Sequence, residues 1–160
     1  MRLTPETVRE EYDRIQDRRD DVVPLVNETR AHLGAQFGVE VETLTDDAYA
    51  AAIDEVFADG DRAVNAAALA RLLRDLDVAG DYPGFVVDEL LGRELAAIIA
   101  GEQPLRLLAE ATFHVADVRT HGDDAEPAGA DDLDAALAAG VQTRVPGWPW
   151  QRSASPFAVE

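Results

Sequence analysis

Four side chains in one stretch of this sequence carry the atoms that bind metal ions or move protons. Glu110, His114, Asp117 and His121 recur at intervals of four, three and four residues. At about 100° per residue on an α-helix they fall within one narrow strip. Two imidazoles and two carboxylates suit Zn²⁺, Mn²⁺ or Fe²⁺. One helix cannot wrap an ion, so further ligands must come from elsewhere, and His32 is the one histidine left to give. The same strip is also what an ordinary solvated helix face looks like in a chain where 32 of 160 residues are acidic. The chemistry at stake is that of a metal-dependent helical enzyme.

Other catalytic devices are missing. Cysteine and lysine are absent, and the serines are Ser153 and Ser155 alone. That removes thiolate nucleophiles, Schiff-base lysines, disulfides and cysteine metal sites. The sequence holds no G-x-S-x-G elbow, no P-loop and no dinucleotide glycine fingerprint, so no cofactor is expected. Paired carboxylates are too common here to single out an acid–base couple. A non-catalytic protein is the leading reading.

The elements that would position these residues are mostly helical. Thr4 and Pro5 read as an N-cap and a first helical residue. Val8, Tyr12, Ile15 and Val22 follow on one stripe, and Pro24 is expected to end or kink that helix. LVNETRAHLGAQF continues with Val26, Thr29, Leu33 and Phe37 on one face. FGVEVETL alternates and predicts a short strand. Thr45, Asp46 and Asp47 open a helix that buries Tyr49, Ile53, Val56 and Phe57, with Gly60 as its stop. VNAAALARLLRDL is expected to turn Leu69, Leu72, Leu73 and Leu76 inward. FVVDELLGRELAAIIAG has the widest apolar face, through Val87, Leu90, Leu91, Leu95, Ile98 and Ile99, and reads as the central core helix. PLRLLAEATFHVADVRTH is next, with Leu105, Leu108, Val115 and Val118 on one side. GDDAEPAGADD then reads as a linker, DLDAALAAG as a short helix, and VQTRV as an edge strand. That strand would pair with Val39–Leu44, Arg144 facing Glu40 or Glu42.

The expected fold is therefore mostly α: a single helical domain of five or six helices, with room for two or three short strands. Residues 1–122 make the helical core. Residues 123–160 form an acidic linker, a short helix and a Trp/Pro-rich tail. No run of about 20 apolar residues is present, so no membrane helix is expected. MRLTPETVREEYDR is charged from the start and reads as no secretory signal, which points to the cytoplasm.

Charge narrows the setting. The net charge is −18, and all 14 basic residues are arginine. Such a surface repels itself in dilute buffer, while in molar salt the screening length falls to about 3 Å. The composition resembles that of cytoplasmic proteins of salt-accumulating microbes, haloarchaea above all. In such a cell net charge does not exclude a nucleic-acid partner; elsewhere −18 argues against one.

Two stretches resemble known modules. FADGDRAVNAAAL, residues 57–69, resembles an EF-hand loop, with Asp59, Asp61, Val64 and Asn65 at its third, fifth, eighth and ninth positions. Phe57 stands at the first position, Arg62 at the turn glycine and Ala68 at the bidentate glutamate, so no calcium site follows. Residues 46–98 resemble a winged helix-turn-helix. RAVN would be the short strand and PGFVVDELLGREL the recognition helix, which would imply a DNA-binding transcription regulator. That helix offers Phe85, Val86 and Asp88 near its start, where base edges call for Arg, Asn, Gln or Ser.

Both tryptophans lie in VPGWPWQR, residues 145–152. Large aromatics are worth most when buried, and tryptophan is a frequent interface anchor. Pro146 and Pro149 stiffen the segment and reduce the entropy lost on docking. Trp148, Trp150, Pro146 and Pro149 are therefore the expected docking residues. The groove that takes them is the chain's own, that of a second copy in a homodimer, or that of another protein. Action through protein–protein contact is the leading function.

Overall fold

The computed structural model describes residues 1–76, 87–120 and 128–149, together with 154 and 159. Among these it has seven helices: α1 (Pro5–Asp17), α2 (Arg19–Phe37), α3 (Asp46–Ala58), α4 (Gly60–Asp75), α5 (Val87–Ala100), α6 (Leu105–Thr120) and α7 (Ala128–Arg144). They share one core. Among the described residues the fold is all-α, with seven helices where five or six were expected. No helix among the described residues is long and apolar enough to cross a membrane.

The helix starts follow from local chemistry. The Thr4 hydroxyl accepts from the Thr7 N–H at 3.2 Å, and the Thr7 hydroxyl accepts from the Thr4 N–H at 2.8 Å. Pro5 sits inside this capping box, where a missing N–H does no harm. Thr45 caps α3 by accepting from the Ala48 N–H at 3.2 Å. Asp59 closes α3 and caps α4, accepting from the Arg62 N–H at 3.2 Å. Gly60, expected as a stop, is thus the first residue of the next helix.

Pro24 does not end the first helix either. The break falls at Arg18, whose side chain reaches α7: Nε donates to Asp134 Oδ1 at 2.8 Å and Nη2 to Oδ2 at 2.5 Å. Pro24 lies in the second turn of α2. The carbonyl it leaves without a helical donor belongs to the exposed Asp20, where water can serve it. Buried Glu11 of α1 is met by Arg74 of α4 at 2.5 Å and by Arg71 at 3.8 Å, which ties those two helices.

The centre of the core is α7. Every residue from 132 to 143 is buried, and the helix packs against α5, α6, α2 and α4. The sequence led us to assign this stretch to the tail and the central role to α5. A helix enclosed on all sides must be largely apolar and its buried polar side chains must be partnered, as Asp134 is by Arg18; here it must also be thin. A Cβ on Gly140 would stand 2.7 Å from the Ile99 Cβ and 3.0 Å from the Ala96 carbonyl oxygen. Alanine and glycine supply that thinness, and their low hydrophobicity disguises the helix as a linker.

The same closeness corrects α4 and α6. The buried face of α4 is Ala63, Ala66, Ala67, Ala70 and Leu73, and Leu72 is exposed. α6 buries Ala109, Thr112, Phe113 and Ala116, and leaves Val118 exposed. On α5, Leu95 and Ile99 face inward while Val87 and Leu90 do not.

No described residue forms a strand. Residues 38–45 lack a strand partner because VQTR, proposed to pair with them, is the last turn of α7. Side chains of α2 take the partner's place. Asn27 accepts from the Leu44 N–H at 2.6 Å and donates to the Leu44 carbonyl at 3.1 Å. Arg144 pairs with Glu55 of α3 at 2.9 Å and donates to the Ile99 carbonyl; its expected partners were Glu40 or Glu42. RAVN, the proposed short strand of a winged helix, lies within α4.

Candidate functional site

The C-terminal segment is held by one arginine. Arg30 occupies the apolar stripe of α2 between Val26 and Leu33 and is 1% exposed. Its Nε donates to the Glu42 carbonyl at 2.9 Å, Nη1 to the Gln142 carbonyl at 2.8 Å and Nη2 to the Pro146 carbonyl at 3.0 Å. One guanidinium thus joins α2, the segment before α3, the end of α7 and the tail. Burial lowers its pKa, and the nearby Glu42 charge opposes that effect; an arginine still keeps its proton. The guanidinium also faces the Trp148 indole, 5.5 Å from the ring centroid, within cation–π range.

Gly147 makes the turn that brings Trp148 there. Its φ is +125°, and a Cβ would lie 3.1 Å from Arg30 Nη2 and 3.3 Å from the Glu42 nitrogen. Any other residue meets both a strained backbone and a filled space. Trp148 is buried on this chain's own α2, and Phe37 meets it edge to face at a centroid distance of 6.3 Å. Phe37 itself is 64% exposed, and Pro146 and Pro149, which flank Trp148 in the chain, are exposed as well. Trp150 lies outside the described residues. Of the four expected docking residues, one anchors the segment inside the fold and the two prolines stand on the surface.

A second cluster joins three helices. Asp132 of α7 is 6% exposed and shares hydrogen bonds with Asp88 of α5 and Asp117 of α6. Desolvation first, then the charges of Asp117 and Asp88, then these hydrogen bonds push its pKa up to about 9. At neutral pH Asp132 therefore keeps its proton and donates it to its neighbours. α5 comes close at this point because Gly92 has no side chain: a Cβ there would be 2.6 Å from the Phe113 ring and 3.4 Å from the Asp132 carbonyl oxygen.

The strip Glu110, His114, Asp117 and His121 divides. Asp117 turns toward Asp132, Glu110 is half-buried, and His114 is exposed. His121 lies outside the described residues. No three histidine or carboxylate side chains among the described residues come together as a metal would need. In the stretch that resembles an EF-hand loop, Asp59 is a helix cap, and Asp61, Val64 and Asn65 are exposed positions of α4. A polar groove of about 320 Å³ lies between α2, α6 and α7. Arg18 pairs with Asp134 along it, and Arg119 lies 3.4 Å from Glu28.

Sequence reasoning missed Arg30 and the aspartates. A faint signal was there. Arg30 interrupts the stripe Val26, Leu33, Phe37. Asp88 heads the stripe Gly92, Leu95, Ile99, and Asp132 heads Ala136, Ala139. A charged residue in line with a buried stripe either ends it or is buried with a partner, and spacing alone does not say which.

The chain belongs to the family described as a domain of unknown function, DUF7984, whose match covers residues 1–160. No curated protein and no solved structure matches it.

Proposed function

We propose that this chain is a non-catalytic protein that works by contact with another protein, through the surface formed by Phe37, Pro146 and Pro149. The observation that carries the reading is an exposed aromatic ring and two exposed prolines seated on the buried Arg30–Trp148 pair. A rigid apolar platform loses little entropy when a partner covers it, and large aromatics are the usual anchors of such contacts. The lack of cysteine and lysine, with serine confined to two late positions, supports a role without covalent catalysis. The test is affinity capture from an extract of the source cells in molar salt, wild type beside Phe37→Ser. A discrete protein held by the wild type and lost by the variant is expected; identical retention by both rules the surface out.

We place this work in the cytoplasm of a salt-accumulating microbe. The support is the −18 charge, carried with arginine as the sole basic residue type. The acidic surface needs screening to stay compact. Circular dichroism is expected to show helix loss as salt is lowered from molar to dilute buffer. Full helicity in dilute buffer would refute this setting.

A further inference from the structure

Residues 38–45 run back along α2 from Phe37. The Val39 N–H donates to the Gly34 carbonyl at 2.9 Å, Arg30 holds the Glu42 carbonyl, and Asn27 holds both backbone groups of Leu44. These contacts step down α2 from 34 to 30 to 27, so the segment is antiparallel to the helix and covers about 10 Å of it. Val39 and Val41 are half-buried while Glu40 and Glu42 are exposed, which is the alternation of an extended chain. α2 uses one side of the segment. Among the described residues no hydrogen bond reaches the backbone of Glu40, Val41 or Thr43. Open N–H and C=O groups in an extended stretch are what an added strand pairs with.

An apolar end and an acidic side frame this edge. At one end Phe37 stands exposed against Trp148. Along the side, residues 31–61 hold eight carboxylates, all exposed, and no arginine or lysine. Elsewhere arginines sit among the acids: Arg71 beside Glu10, Arg93 beside Glu89, Arg119 beside Glu28. Here Glu40, Asp46 and Asp47 have no ion pair among the described residues. Glu42 lies near Arg30, but that guanidinium is buried and engaged by three carbonyls. The edge therefore carries negative charge that nothing in the chain offsets. It repels a second copy of this acidic chain, a nucleic acid and an anionic membrane alike, and complements a basic polypeptide.

We infer that the partner of this surface presents a basic segment in extended form, which adds as a strand along residues 39–44. The inference rests on the contact surface proposed above and names what fits it. A large apolar side chain of the segment covers Phe37. Its backbone takes up the open groups of Glu40, Val41 and Thr43. Its arginines or lysines meet Glu40, Glu42 and the aspartates that open α3. They lie within about five residues of the apolar anchor, since a strand advances ~3.3 Å per residue along the ~15 Å from Phe37 to the level of Asn27. Main-chain bonds supply the affinity and the charges supply the choice of partner.

The test uses the full chain in molar KCl to select binders from a displayed library of random short peptides. At that salt only charges in contact are felt, which removes the general pull of a −18 chain on any basic peptide. Selected peptides are expected to set a large apolar residue close to arginine or lysine. The Val41 and Thr43 amides should exchange hydrogen more slowly when such a peptide is bound. Phe37→Ser should bind it at least ~10-fold more weakly. Glu40→Gln with Glu42→Gln should bind it about 5-fold more weakly. Glu6→Gln with Asp13→Asn, two exposed acids of α1, should bind it as the wild type does, and helicity should be the same in all three. Binders that depend on Phe37 but carry no basic residue overturn the inference and leave the contact surface standing. Binders indifferent to Phe37→Ser remove both. Equal weakening by the α1 pair, unchanged exchange at Val41 and Thr43, or a library that yields no binder also overturns the inference.

Discussion

Replacing Arg30 by alanine is expected to destabilise the fold by about 3–5 kcal/mol, in proportion to the groups it strands. The carbonyls of Glu42, Gln142 and Pro146 all lose their donor. The Gln142 carbonyl is fully buried, and an unmet buried acceptor costs about 1–3 kcal/mol; the Glu42 and Pro146 carbonyls belong to exposed residues and cost less, while the space left by the buried side chain adds to the loss. The Trp148 ring also loses the cation above it. Against a total stability of about 5–15 kcal/mol, this is a large share. The melting temperature in molar salt should fall by roughly 6–20 °C. Trp148 emission, read in a Trp150→Phe background, should shift to the red as the segment lifts. Lysine at position 30 should fall between the two, since a single ammonium cannot hold three carbonyls in a fixed fork. A Trp148 emission and melting temperature unchanged in Arg30→Ala would show that the segment is held by something else.

The second large effect concerns Asp132 and pH. Unfolded, its carboxyl titrates near the ordinary aspartate value of about 4; folded, it titrates at about 9. Between those values the native state keeps a proton that the unfolded chain has lost. Stability on this account is fullest at acid pH and falls as pH rises through the window, by up to about 1.4 kcal/mol per unit. Asparagine has nearly the same shape, carries no charge and donates as the protonated acid does. Asp132→Asn should therefore gain on the wild type as pH rises, by up to about 4 kcal/mol between pH 5 and 8, or up to roughly 8–16 °C in melting temperature. Comparing the two proteins at each pH cancels the other carboxylates. Parallel melting curves across that range would mean that Asp132 is ionised in the fold.

Much of the helical framework was legible. Thr4 with Pro5, and Thr45 with two aspartates, announce helix starts through backbone chemistry that needs no tertiary partner. The buried Tyr49, Ile53 and Val56 follow from a period that one face of a helix imposes. What stayed hidden depends on neighbours. α7 is built from alanine, glycine and aspartate, residues that also make linkers, and only the closeness of α5 explains why Gly140 must be small. On α4, Leu69 and Leu72 gave way to the alanines, while Leu73 went in as expected: at a tight helix crossing the smaller side chain goes inside. Phe37, Val39 and Val41 alternate as a strand would, yet a strand needs a partner, and Asn27 and Arg30 of α2 fill that role with side chains. At the tail the sequence marked Trp148 as an anchor. It did not mark the arginine 118 positions earlier that the anchor rests on.

The place of α7 in the chain bears on how this molecule is made. Six helices leave the ribosome before the one around which they pack. Until it emerges, the inward faces of α2, α4, α5 and α6 surround nothing, and each must wait in a loosely collapsed state with its alanines open to water. In most helical bundles neighbouring helices can dock as soon as both exist, since their contacts are close in sequence. Here α7 packs most heavily on α5 and α6, just before it in the chain, and also joins α2 and α4, some 60 to 110 residues upstream. Pairs such as α4 with α5 and α5 with α6 can dock early, but the core is closed only when α7 arrives.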